Sequence, residues 1–140
     1  MEREKQIEKF RILWEQIMVG NKLEVCTEEL KGAGILDVNI LRLLFNNSEI
    51  IPKEIAGKLN IPNSTLTNAL NRLEKKGLVE RRLNTNDLRS LQLLLTDKGK
   101  LAICRHHDAE RILIENIFSI LSETETDSLI SIFEKIVEKL

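Results

Sequence analysis

The residues best suited to chemistry lie in one short stretch, Ser64 to Lys76. At helical spacing, Ser64, Thr65, Thr67, Asn68, Asn71, Arg72 and Lys75 share one side, with Asn63 just ahead of them. Leu66, Ala69, Leu70 and Leu73 take the other side. Hydroxyl and carboxamide groups stand near the start of that polar side and cations stand further along. These are the groups that hydrogen-bond base edges and phosphate oxygens of a nucleic acid. A solvated helix face ordinarily mixes acids with its bases, yet Glu74 is the single acid between Ser64 and Lys76. The plain alternative is a polar helix surface with no ligand.

Charge along the chain points the same way. The 21 Lys and Arg against 22 Asp and Glu give a formal charge of −1, which excludes a strongly basic domain but not a basic patch. From Lys53 to Arg89 there are eight cations (Lys53, Lys58, Arg72, Lys75, Lys76, Arg81, Arg82, Arg89) and four acids (Glu54, Glu74, Glu80, Asp87). That segment therefore carries +4 and the remainder −5, a basic middle between acidic ends. Such a middle attracts phosphates.

Other chemistry is thinner. No phosphate-cradling glycine loop and no nucleophile, base and orienting acid in workable order are present, so the chain reads as a non-enzyme. Cys26 and Cys104 are too few for a disulfide scaffold and lack zinc-finger spacing. His106 and Glu110 are four apart on one helix face, beside His107, and Cys26, Glu24 and Asp37 lie upstream. Together they offer the N, S and O ligands that zinc favours. The competing reading is a pair of surface histidines in the charged stretch Arg105 to Glu110.

The positioning elements follow from periodicity. Ile7, Phe10, Trp14, Ile17 and Met18 place one apolar stripe on a helix over Glu2–Val19, ended at Gly20-Asn21. Residues 21–34 read as an irregular connection or a short helix. A second helix covers Leu36–Phe45 with Asp37 as N-cap, and Glu49–Ile51 is a short strand candidate. Pro52 opens a helix to about Leu59, with Ile55, Ala56 and Leu59 inward. After the turn at 60–63 comes the polar-faced helix, Ser64 to Lys76, stopped by Gly77. Leu78–Leu83 and Leu91–Leu95 form a hairpin with a polar, basic tip. A long helix opens at Thr96–Gly99, and Ser122 with Glu125 caps the last one.

Two helices joined by a short turn and followed by a hairpin make a winged helix-turn-helix, mainly α with a small β wing (α+β). The second helix fits a major groove, and Arg81, Arg82 and Arg89 of the wing suit phosphates or the neighbouring minor groove. At these residues the sequence resembles the multiple antibiotic resistance regulator (MarR) family of bacterial transcription factors. The carrying residues are Ser64-Thr65-Leu66-Thr67, Leu73-Glu74-Lys75-Lys76-Gly77-Leu78-Val79-Glu80-Arg81, Asp87-Leu88-Arg89-Ser90 and Leu95-Thr96-Asp97-Lys98-Gly99, in that order and spacing. The resemblance covers nearly the whole chain. It implies a single MarR-like domain over 1–140, with a DNA-binding lobe at 36–95 and dimerisation helices at 1–20 and 97–140. It implies a homodimeric repressor bound to double-stranded DNA and released by a signal. Ser64, Thr65, Thr67 and Asn68 would face bases or phosphates, Arg89 would be the wing-tip arginine, and Asp87 would orient the wing through a salt bridge. Pro62, Asn68, Asn71 and Leu88 depart from the family's common residues, and these departures bear on the operator sequence.

Pairing also has a physical basis. Ile7, Phe10, Trp14 and Ile17, with Ile117, Leu121, Leu129, Ile132, Phe133 and Ile136, are more apolar surface than one small winged domain covers. A two-fold homodimer hides them and suits a pseudo-palindromic operator. No cofactor is required. The candidate signals are a small apolar or aromatic effector between the dimer helices and the DNA-binding lobe, zinc, and thiol oxidation; Phe10, Trp14 and Met18 read more readily as plain core than as an effector site. His106 falls where zinc-responsive relatives place a ligand, although Glu110 stands where they have a second histidine. Neither cysteine lies where the family's oxidation sensors carry theirs. The rival function is a winged-helix protein-interaction module. The charged N-terminus, MEREKQIEKF, has no signal-type apolar stretch, and no run approaches the roughly 20 apolar residues of a membrane span, so a cytoplasmic protein is expected.

Overall fold

The computed structural model describes residues 1–20, 27–83 and 91–140. The elements, in order, are α1 (Glu2–Val19), a 3-10 turn (Glu28–Leu30), α2 (Ile35–Asn46), α3 (Pro52–Leu59), α4 (Asn63–Lys75), β1 (Val79–Leu83), β2 (Leu91–Leu95), α5 (Asp97–Ile120) and α6 (Glu123–Lys139). They divide into two compact units, one of residues 26–109 and the other of 1–25 with 110–140.

The 26–109 unit is a winged helix-turn-helix. Its core is aliphatic: Ile40, Leu41, Ile55, Leu66, Leu73, Leu78, Val79, Leu93 and Ile103 are all buried. Pro52 sits in the first turn of α3, where its missing N–H costs no helical bond. Asn60 closes α3 in the left-handed region, and Pro62 rather than Asn63 is the N-cap of α4. At the far end of α4, Gly77 has φ +74°. Its N–H donates to the Glu74 carbonyl and that of Leu78 to the Leu73 carbonyl. This pair of bonds turns the chain directly into β1.

β1 and β2 pair antiparallel, with Val79 opposite Leu95, Arg81 opposite Leu93 and Leu83 opposite Leu91. Only the base of the hairpin is covered: Leu93 is buried, while Leu83 and Leu91 at the outer end are exposed. The tip, residues 84–90 with Asp87 and Arg89, lies outside the described residues.

Two sequence expectations are corrected here. Asp37 is not an N-cap. Gly34 is, and Asp37 lies within the first turn of α2, buried. Residues 49–51 form no strand: Ile50 is buried as a turn residue, and Ile51 caps α3, its N–H donating to Glu54 Oε1 at 3.3 Å. The apolar pair is needed for packing and for the helix start rather than for a ladder.

In the other unit, α1 and α6 bury none of their residues. Ser122 and Glu125 form the expected capping box, with the Ser122 N–H donating to Glu125 Oε2 at 2.9 Å and the Glu125 N–H to Ser122 Oγ at 3.2 Å. These bonds hold the Glu125 carboxyl below its ordinary range, the Ser122 backbone N–H most of all.

Gly99 is where the start of α5 meets the strand. Its N–H donates to Thr96 Oγ1 at 3.0 Å, and a Cβ added there would stand 2.0 Å from the Leu78 carbonyl oxygen. Backbone cannot give way as a side-chain tip can. Gly99→Ala should therefore lower unfolding free energy by about 2–3 kcal/mol in a urea titration. An unchanged midpoint would show that the contact relaxes freely.

Candidate nucleic-acid interface

The polar face of α4 is exposed from end to end. Asn63, Ser64, Thr67, Asn68, Asn71, Arg72 and Lys75 are all open to solvent, and Thr65 is half-buried. Leu66, Ala69, Leu70 and Leu73 beneath them are buried, which fixes the rotation of the helix about its axis. The side chains singled out in the sequence thus share one surface, but three of them are already engaged within the protein. Thr67 Oγ1 donates to the Asn63 carbonyl at 2.9 Å, so its proton is used locally and it faces outward as an acceptor.

Arg72 donates to Asp37 Oδ1 at 2.9 Å. The Asp37 side chain is 4% exposed and that of Arg72 is 51% exposed. The pair joins α4 to α2, and the guanidinium keeps half of its surface on the polar face. Sequence reasoning missed this contact. A carboxylate at a position of α2 that falls on its buried face was its one signal.

Arg81 on β1 reaches back to the helix. Its Nη2 donates to Asn71 Oδ1 at 2.7 Å, and its Nε lies 3.2 Å from Glu74 Oε2. Glu74, the lone acid on the helix, is therefore paired with the wing. Arg82 pairs instead with Glu80 on its own strand, at 3.1 and 3.2 Å, and both side chains remain exposed. Exposed pairs of this kind are weak and leave Arg82 available to other anions.

The proposed metal ligands are not arranged as surface ligands. His106 is buried, at 7% exposure, so the surface-histidine reading is corrected for it. Arg42 Nη2 lies 3.2 Å from its Nε2, and since a guanidinium carries only donors, Nε2 must accept. A cation already faces the Nε2 lone pair. Glu110 is half-buried, and Cys26 lies outside the described residues. Among the described residues, no three His, Cys, Asp or Glu side chains converge as a metal site would require. Cys104 is exposed.

The sequence-predicted pairing residues are open in a single chain. Phe10 is 67% exposed, Trp14 51% and Phe133 59%, with Ile7, Ile132 and Ile136 likewise exposed. Ile17, Ile117, Leu121 and Leu129 are half-buried. Ile114, Ile117, Phe118, Leu129, Ile130, Phe133 and Val137 line an open apolar groove of about 780 Å³ between the end of α5 and α6. No helix among the described residues is long and apolar enough to cross a membrane.

Comparison with known proteins agrees with this geometry. A family model for the MarR family matches residues 36–91. The chain is 32% identical to the transcriptional repressor MprA of Escherichia coli K12 over 127 residues, which covers 88% of this chain and 72% of that one. It is 29% identical to the HTH-type transcriptional regulator YwhA of Bacillus subtilis over 99 residues, 71% of each chain. Among solved structures, the YusO protein of Bacillus subtilis superposes with a TM-score of 0.77 at 25% identity, over 99% of this chain and 97% of that one. Streptococcus pneumoniae FabT, solved in complex with DNA, shares the fold with a TM-score of 0.81 at 22% identity, covering 97% and 95%.

The Asp37–Arg72 pair predicts an asymmetry. Arg72→Ala strands a buried carboxylate and should cost about 3 kcal/mol of unfolding free energy. Asp37→Ala releases a guanidinium that already reaches water and should cost only about 1 kcal/mol, including its favourable place in the first turn of α2. Equal losses in urea titrations of the two variants would contradict this assignment.

Proposed function

The chain belongs to the MarR family of transcriptional regulators, and on that premise we propose that it is a homodimeric repressor that reads double-stranded DNA through α4. The observation that carries this reading is the exposed polar face of α4, whose single acid is held by an arginine of the wing. A face of hydroxyls, carboxamides and cations with its one negative charge compensated suits a groove lined by phosphates and base edges. Repression is supported by the name of the relative MprA, and duplex binding by the DNA complex of FabT, which has the same fold.

In this reading, residues 36–95 are the DNA-binding lobe and residues 1–20 and 97–140 pair two copies. Asn63, Ser64, Thr65, Thr67, Asn68, Asn71, Arg72 and Lys75 meet the duplex from the helix. Arg81, Arg82 and Arg89 meet it from the wing, which Asp87 orients. Pairing is supported by the exposed aromatic and aliphatic side chains of α1 and α6, whose combined surface no solvated monomer would keep open. Two copies related by a two-fold axis present two reading helices to a pseudo-palindromic operator, with half-sites about one helical turn apart. Release by a small molecule belongs to this reading. Zinc has no support from the His106 geometry.

The test is selection of bound duplexes from a random pool, followed by a salt titration on the selected sequence. Log affinity should fall linearly with log salt, and Lys75→Ala should lower that slope by about 1 while weakening all sequences alike. Salt-independent binding, or a pool with no enriched duplex, would favour a protein-interaction module instead. Phe133→Glu should convert a dimer into monomer or aggregate in sedimentation equilibrium. A variant that stays a stable dimer would remove the α6 surface from the interface.

A further inference from the structure

Of the stretches that carry the family resemblance, Thr96-Asp97-Lys98-Gly99 belongs to neither the reading helix nor the wing. It starts α5, and it holds the place where α4 ends. Three consecutive carbonyls at that end are each bonded to it. Lys98 Nζ donates to the Lys76 carbonyl at 2.9 Å, Thr96 Oγ1 to the Gly77 carbonyl at 2.5 Å, and the Thr96 N–H to the Leu78 carbonyl at 3.2 Å. The Thr96 hydroxyl also accepts from the Gly99 N–H at 3.0 Å, so one side chain caps α5 and fastens the exit of α4. Lys76 is the C-cap of α4, and the last carbonyls of a helix are its negative end. An ammonium placed there is held by charge as well as by a hydrogen bond. Its stem passes over Gly77, where an added Cβ would stand 4.0 Å from Lys98 Cδ. Charge counting alone would make the exposed Lys98 a phosphate contact, but its ammonium is turned to backbone.

We propose that Thr96 and Lys98 are positioning residues for DNA reading: they fix the exit of α4 on the start of α5, and so hold the reading face in place without meeting the duplex. The turn at Gly77 would otherwise be the one free end of α4. Because α5 runs unbroken from Asp97 to Ile120, the same joint ties α4 to the helix that carries Ile117 of the proposed pairing surface. The inference rests on the proposal that α4 reads DNA. It adds two residues that act on sequence selection through α4 rather than by contact.

The experiment compares the affinity of the full-length protein for its selected duplex and for a scrambled one, at several salt concentrations, with each variant first checked for folding by a thermal melt. Lys98→Met keeps the stem and removes the donor. The ratio of the two affinities should fall by about fivefold, the worth of one such hydrogen bond, while the salt slope on the scrambled duplex stays as in the wild type. Thr96→Val should lower the ratio at least as far and Thr96→Ser should restore it; a hydroxyl has no counterion effect with which to imitate this result. A salt slope lowered by about 1 in Lys98→Met would make Lys98 a phosphate contact and overturn the inference. An unchanged ratio in folded Lys98→Met, the result expected of a residue that serves stability alone, would overturn it too. A wild-type protein that does not tell the two duplexes apart would overturn the DNA-reading proposal itself. Lys98 is exposed, so its variant tests the inference even if Thr96→Val does not fold.

Discussion

A carboxylate inside a small aliphatic core must find a cation, and the cation that Asp37 finds belongs to the helix that carries the polar face. Much of the winged unit is arranged around that contact. It ties α2 to α4 from one side, while Leu66, Ala69, Leu70 and Leu73 hold α4 from beneath. With rotation and position both set, seven polar side chains face outward in one register. A charge buried on one end and wet on the other also explains why Arg72 can be structural and still face solvent.

The wing continues the same logic. β1 leaves α4 through the left-handed Gly77, so that two residues after Val79 Arg81 reaches Glu74 and Asn71 on the helix just completed. Strand and helix are thus joined by a polar contact as well as by the buried Leu78 and Val79. One guanidinium pairs with the only acid of the helix and donates to the carboxamide of Asn71. The segment's +4 already subtracts Glu74 and Glu80, which pair with Arg81 and Arg82, whereas Asp37, the partner of Arg72, lies outside the segment. The attractive surface therefore rests on the lysines and on amide and hydroxyl groups as well as on the arginines.

Periodic features were legible in the sequence. The stripes of α1, α4 and α6, Pro52 opening a helix, Gly77 closing one and the Ser122–Glu125 box all lie where spacing and cap chemistry put them. Features decided by tertiary contact were not. Asp37 looks like an N-cap because acidic residues favour that place, and only the approach of Arg72 from 35 residues away makes it a buried partner. Ile50 and Ile51 read as a strand by propensity, but without a ladder partner they serve packing and capping. His106 looked exposed among charged neighbours, and Arg42 on α2 draws it inside. Arg81 was legible as a basic wing residue but not as a clamp, since strand and helix meet only after the turn at Gly77.

Hydroxyl-radical footprinting of the enriched duplex tests the central claim, that α4 is presented in pairs to a major groove, most directly. Two protected patches about one helical turn apart, both lost when Ser64 and Asn68 are replaced together in a variant that still sediments as a dimer, are the predicted result. Protection that survives that replacement, or no protection at a protein concentration that gives full dimer, would contradict the assignment of α4 as the reading helix.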